Sequence, residues 1–195
     1  MTATFAPFGL QAARRVGSVV NNGARSTKRI QSLTTATIYK GQPVAQTANG
    51  VIDIYVSAAI TTGANTIGVF DGCRYTDPVT GRLTDYPYWP GGTSATDAVA
   101  FVIDDPFATF FVQANTSLSA IDAGALAGFT TASYTSGTTQ WAQSLAALNQ
   151  ASLGTADLAL RILGLADFPG NSWNDAAPIV EVMFARHAYM TSAGI

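Results

Sequence analysis

Ile67-Gly68-Val69-Phe70-Asp71-Gly72-Cys73-Arg74-Tyr75, then Asp77-Pro78-Val79-Thr80-Gly81, then Leu83-Thr84-Asp85-Tyr86-Pro87-Tyr88-Trp89 is the stretch on which the fold turns. β-Branched and aromatic residues fill the outer runs, and Pro78 and Gly81 punctuate the middle. The pattern reads as a strand over 66–75, a tight turn, and a return strand over 83–89. Trp89-Pro90-Gly91-Gly92-Thr93 closes that hairpin.

The same texture continues on both sides. Upstream, Thr34–Tyr39 alternates, Gly41-Gln42-Pro43 turns, Val44–Thr47 returns, and Asn49-Gly50 signals a hairpin before Val51–Val56. Downstream, Val99–Ile103 and Thr109–Ala114 flank Asp104-Asp105-Pro106, which reads as a tight turn or bulge. Ser119–Ala127 suggests one short helical turn, Gly128–Ser133 a strand, and Ser144–Asn149 a second helical turn or a loop tip. Leu158–Leu163 and Ile179–Ala185 are strands joined by the polar insert Pro169-Gly170-Asn171-Ser172-Trp173-Asn174-Asp175. Nine or ten short strands predict a mainly β fold, a Greek-key or jelly-roll-like β-barrel or sandwich over residues 32–195.

Composition agrees. The chain has 195 residues, 48% of them apolar and 11% charged, less than half the charged share of an ordinary soluble domain. That excludes disorder as the main state and leaves a surface of small residues, or one covered by partner subunits. Glu181 is the only Glu and Lys28 and Lys40 the only lysines, so large solvent-facing helices are not expected. The single Cys73 excludes an internal disulfide and any CxxC motif. No apolar run reaches transmembrane length. The Arg14-Arg15 pair follows the apolar N-terminal segment, the reverse of a signal peptide, so synthesis in a reducing cytosol is expected.

Charge is distributed unevenly. Residues 1–29 hold Arg14, Arg15, Arg25, Lys28 and Arg29 with no acid, whereas the rest holds the other five basic residues and all twelve acids. Phe5, Phe8 and Leu10 add apolar anchors without a clear period. Residues 1–31 therefore read as an extended basic arm that orders against an acidic protein surface through these eight residues. On that reading, deleting residues 2–31 leaves a folded barrel. Nucleic acid is not the expected partner, because the body would repel a polyanion and no aromatics interleave with the arm's cations. No membrane partner is expected either.

No catalytic constellation emerges. His187 is the only His, and neither a nucleophile elbow, a P-loop nor a dinucleotide fingerprint is present. Asp104 and Asp105 read as turn formers, and Cys73 as a half-buried strand residue whose loss is tolerated. No metal, cofactor or catalytic residue is assigned. The aromatics Tyr86, Tyr88, Trp89 and Trp173 fit a core or interface, or stacking against sugar rings.

Three stretches together resemble tailed-phage head decoration proteins, also called capsid-stabilising or cement proteins. They are Ile67–Tyr75 with Pro78–Gly81 and Trp89–Thr93; Val99–Val112 around Asp104-Asp105-Pro106; and Leu160–Leu165 through Asn171–Asp175 to Val180–His187. The likeness spans roughly residues 32–190, and its motifs are β-hairpin patterns. The resemblance implies a non-enzymatic β-barrel protein on the outside of a phage head, bound to the major capsid protein, commonly as a trimer, with no catalytic residue to carry over. It implies location on the virion head surface after synthesis in the host cytoplasm. The alternative is a carbohydrate- or receptor-binding module of a virion fibre or spike, motivated by the aromatics.

Overall fold

An eleven-residue strand organises the molecule because both of its faces are buried. The computed structural model describes residues 4–17, 25–30, 36–47, 51–54, 66–130, 137–138, 142–154 and 158–190. The strands are β1 (Gln11–Arg15), β2 (Ser26–Ile30), β3 (Pro43–Gln46), β4 (Val51–Ile54), β5 (Thr66–Thr76), β6 (Leu83–Tyr86), β7 (Val99–Ile103), β8 (Ala108–Gln113), β9 (Leu126–Phe129), β10 (Gly137–Thr138), β11 (Gln143–Ser144), β12 (Leu148–Asn149), β13 (Leu160–Leu165) and β14 (Ile179–Phe184). The mainly β expectation holds.

One sheet runs β3-β4-β2-β7-β5-β6, and a β3–β5 ladder closes five of these strands into a barrel. β5 is long enough to take β7 along one edge and, on the other, β3 beside its first half and β6 beside its second. Successive side chains of a strand point to opposite faces. Phe70 and Val102 accordingly enter the barrel core, while their neighbours Val69 and Ile103 enter a second core outside it. That double burial explains the nearly continuous apolar run Ile67–Phe70. Gly68 has φ +146°, and a Cβ there would run into the Ile103 carbonyl, so the close approach of β5 and β7 requires glycine.

The second sheet runs β1-β8-β14-β13-β9-β12 with antiparallel pairing. It curls until Ala114, just past β8, bridges Leu148 of β12. Its interior holds Phe110, Val112, Phe129, Leu160, Ile162, Val180, Val182 and Phe184, with Leu10 inserted from the N-terminal segment.

The division into an arm of residues 1–31 and a barrel of residues 32–195 is corrected here. β1 is an edge strand of the second sheet, and β2 lies inside the barrel ring between β4 and β7. Ser26-Thr27-Lys28-Arg29-Ile30 has the period-two burial of a strand, with Ser26, Lys28 and Ile30 turned inward. The inward position of Lys28 hides that alternation from a hydrophobicity pattern, since a long aliphatic stem can line a core edge while its ammonium reaches polar partners.

Smaller differences follow the same logic. Of the expected helical turn over 119–127, only Ala120–Asp122 is 3₁₀, capped by Ser119 and Asp122, and β9 follows. Ser144–Asn149 is neither helix nor loop tip but contributes to β11 and β12. The return strand ends at Tyr86, and Trp89 instead bridges Ile38. The expected Asn49-Gly50 turn lies outside the described residues, as do residues 18–24 and 31–35, 55–56 and 131–133 of other expected segments.

Candidate interaction surface

The eight residues expected to bind a partner are mostly engaged within the chain. Arg14 forms a two-pronged pair with Glu181, Nε to Oε1 at 2.7 Å and Nη2 to Oε2 at 2.8 Å. Arg15 pairs with Asp105 at 2.8 Å and Arg25 with Asp71 at 2.8 Å. Lys28 donates to the Tyr189 hydroxyl at 2.6 Å and lies 3.3 Å from Asp104. Arg29 is exposed on β2, with no ion pair among the described residues. Leu10 is in the core, Phe8 lines a cleft, and Phe5 is exposed. Attraction between a basic N-terminus and an acidic body is present, but inside one chain.

β8 and β14 form a receptor for the segment from Thr4 to Val16. The Gln113 amide donates to the Thr4 carbonyl at 3.0 Å and accepts from the Ala6 N–H at 2.8 Å, replacing a rung of backbone ladder. The Thr109 hydroxyl donates to the Arg14 carbonyl at 3.0 Å and accepts from the Arg14 N–H at 3.2 Å. The Val16 N–H donates to the Phe107 carbonyl at 2.9 Å. Gln113 and Glu181 are only 5% and 8% exposed and Thr109 is fully buried, so the segment satisfies groups that would be costly to bury alone. The Arg14 guanidinium holds the Glu181 carboxyl below the usual carboxylate range, against an opposing effect of burial.

A second polar network was not foreseen. Asp104 accepts from Ser26 Oγ at 2.6 Å and from the Tyr189 hydroxyl at 3.0 Å, with Lys28 beside it. Burial pulls the Lys28 pKa down, but hydrogen bonds to Tyr189 and Asp104 outweigh it and leave the ammonium more firmly protonated than usual. A protonated Lys is neither base nor nucleophile. The network clasps β2, the β7–β8 turn and the C-terminal 3₁₀ turn Ala188–Met190. Its members are 26, 28, 104 and 189, too far apart for sequence spacing to associate them. The Arg14–Glu181 pair did leave a signal: the chain's sole Glu sits on an alternating strand.

Cys73 and His187 are enclosed. Burial pushes the Cys73 thiol up to about 12, and its Sγ donates to the Tyr88 carbonyl at 3.3 Å. Burial lowers the His187 pKa, and its Nδ1 accepts the Tyr189 N–H at 3.2 Å. Asp105 caps the β7–β8 turn by accepting from the Phe107 N–H at 2.9 Å, the turn-forming role read for it. A cleft of about 350 Å³ lies at the seam between the sheets, lined by Phe8, Leu10, Lys40, Val69, Asp71 and Gln143. Its Asp71 carboxylate is held between Lys40 at 2.9 Å and Arg25 at 2.8 Å.

Large apolar side chains remain outside. Val79 at the β5–β6 turn is 90% exposed and Leu83 at the start of β6 is 66% exposed; Ile121, on the 3₁₀ turn before β9, is 89% exposed. Of the aromatics considered for sugar stacking, Trp89 is fully buried and Trp173 packs on the second core. Tyr86 is exposed, stacked on Tyr75 at 5.9 Å and edge-on to Tyr88 at 5.7 Å.

No family model, curated protein or solved structure matches the chain.

Proposed function

We propose that this chain is a non-enzymatic virion structural protein that binds the outside of a phage capsid and stabilises the shell by bridging major capsid protein subunits, acting as a homotrimer. The observation that carries the reading is a division of labour among side chains. Arg14, Arg25, Lys28, Asp71, Asp104 and Glu181 are spent on one another. Val79, Leu83 and Ile121 stand exposed on turns and a strand start in both sheets. Such a body is suited to being held by its surface at separate points, where several modest contacts gain avidity from being linked. No nucleic acid or membrane is needed, and among the described residues no helix is long and apolar enough to cross a bilayer.

The test is co-sedimentation of the purified protein with expanded phage heads lacking it. Saturable binding that raises the temperature of head rupture supports the reading, and weaker binding by a Val79→Ser/Leu83→Ser variant supports its contact points. Protein that stays in the supernatant at all concentrations contradicts it. The exposed Tyr86 beside Tyr88 favours a second reading, the carbohydrate- or receptor-binding module. Signal on a glycan array that disappears in Tyr86→Ala would favour that reading over the capsid.

A further inference from the structure

We propose that the cleft at the seam between the sheets binds a small amphiphilic carboxylate, an apolar body with a single anionic headgroup, independently of any capsid. Its volume of about 350 Å³ lies within the range of small-molecule sites, and like them it joins an apolar interior to a few polar groups. Leu10, Val69 and Ile103, all members of the second core, form its floor. Phe8 adds an aromatic wall.

The backbone around the cleft offers a ligand little, because it is already spent. The Leu10 N–H donates to the Gly41 carbonyl at 2.9 Å, the Gly41 N–H to the Phe70 carbonyl at 2.8 Å, and the Lys40 N–H to the Ala142 carbonyl at 3.0 Å. Recognition is therefore left to side chains. The same bonds build the cleft in advance. The Gln143 side-chain amide donates to the Phe8 carbonyl at 2.8 Å and fixes that wall. Gly9 lets the N-terminal stretch pass close to the turn before β3, where a Cβ would lie 2.8 Å from the Gly41 carbonyl oxygen. A preformed site costs its ligand little ordering.

Charge at the rim selects the headgroup. The Asp71 side chain is 18% exposed and takes Lys40 on Oδ1 at 2.9 Å and Arg25 on Oδ2 at 2.8 Å. Two cations on one carboxylate leave a surplus of one positive charge. The Lys40 side chain is 57% exposed, and its ammonium carries more donors than the Asp71 contact uses. A carboxylate arriving at Lys40 gains a charged partner while Asp71 keeps Arg25, so neither charge is orphaned. An ammonium headgroup would meet the surplus of like charge. A doubly charged phosphate would shed more water than Lys40, the one cation among the described lining residues, can replace.

The test titrates octanoate, octan-1-ol and octylammonium into the purified full chain at pH 7. Binding is read by calorimetry and by NMR of labelled Leu, Val and Ile methyls. Octanoate should give saturable shifts at Leu10, Val69 and Ile103 and bind about fivefold more tightly than octan-1-ol, the value of one exposed ion pair. Octylammonium should bind most weakly. Shifts confined to the exposed Val79, Leu83 and Ile121, failure of octanoate to saturate, or octylammonium or octan-1-ol binding as tightly as octanoate overturns the proposal.

Lys40→Met keeps an unbranched side chain and removes the charge. Octanoate and octan-1-ol should then bind alike, and an undiminished preference for octanoate contradicts the part given to Lys40. The ranking of the three probes on the native protein decides the matter if that variant does not fold.

Discussion

The two sheets close in different ways, and the N-terminal segment contributes differently to each. The barrel is sealed by a ladder between Pro43–Ala45 and Thr66–Val69, and β2 is one of its five staves. The second sheet curls round to a bridge between Ala114 and Leu148, with β1 pinned along its outer edge. Barrels remove strand edges altogether, whereas an edge strand is held by one neighbour and by its side chains. One basic segment thus supplies an integral stave to one half and a strap to the other. Position in a sheet, rather than charge, decides how much each part of the segment matters.

The largest expected effect separates the two strands. Deleting residues 2–31 removes β2 from the ring and uncovers the barrel core, so the product should lack a cooperative melt and fixed near-ultraviolet circular dichroism. Deleting residues 2–15 removes only the strap and Leu10, and should leave a folded but less stable protein. A native-like melt of the longer deletion would break the comparison, because β2 would then be dispensable.

Next is the point where the barrel meets the second sheet. Gly68→Ala places a methyl against the Ile103 carbonyl in a backbone conformation that L-residues rarely adopt. A loss of ~3 kcal/mol is expected from urea denaturation. Gly92→Ala, also at positive φ but with open space around its Cβ, should cost less, mainly through its backbone conformation.

The strap should show its own pH dependence. Glu181 is depressed by Arg14, so its contribution is present above the unfolded carboxylate value of about 4.3 and is lost as pH falls through the lower native value. Glu181→Gln should cost about 1.5 kcal/mol at pH 7, a charged hydrogen-bonded pair whose Arg partner is half exposed. Melts of the two proteins should converge as pH falls through that lower native value. A difference that persists there would mean that packing, not charge, fixes β1.

The smallest effect belongs to the barrel interior. Cys73→Ala removes one buried sulfur and should cost about 1 kcal/mol. With its thiol pushed up to about 12, native Cys73 should resist a thiol reagent at pH 8 and react only on unfolding. Fast labelling of the native protein would contradict its enclosure.

What could be read in the sequence follows the same division. β5, β7, β8, β13 and β14 announce themselves because they are buried on at least one face by consecutive or alternating apolar residues. The turns at Asp77 and Asp105 announce themselves through local hydrogen bonds from the Val79 and Phe107 N–H groups to those carboxylates. β1 and β2 were hidden because arginine and lysine occupy positions that pattern reading assigns to solvent, and their acidic partners lie 76 to 167 residues away. The Lys28–Tyr189–Asp104 clasp was hidden for the same reason. The Tyr and Trp cluster was visible, but not that Trp89 would be sealed in the core.

Hydrogen exchange read by mass spectrometry tests most directly the claim that the N-terminal segment is one part stave and one part strap. Amides of Ser26–Ile30 should exchange as slowly as those of β5 and β7, by global unfolding, and those of Gln11–Arg15 faster, by local release, yet well below the rate of an unfolded chain. Exchange of both stretches at the unprotected rate would contradict the account and restore a free arm.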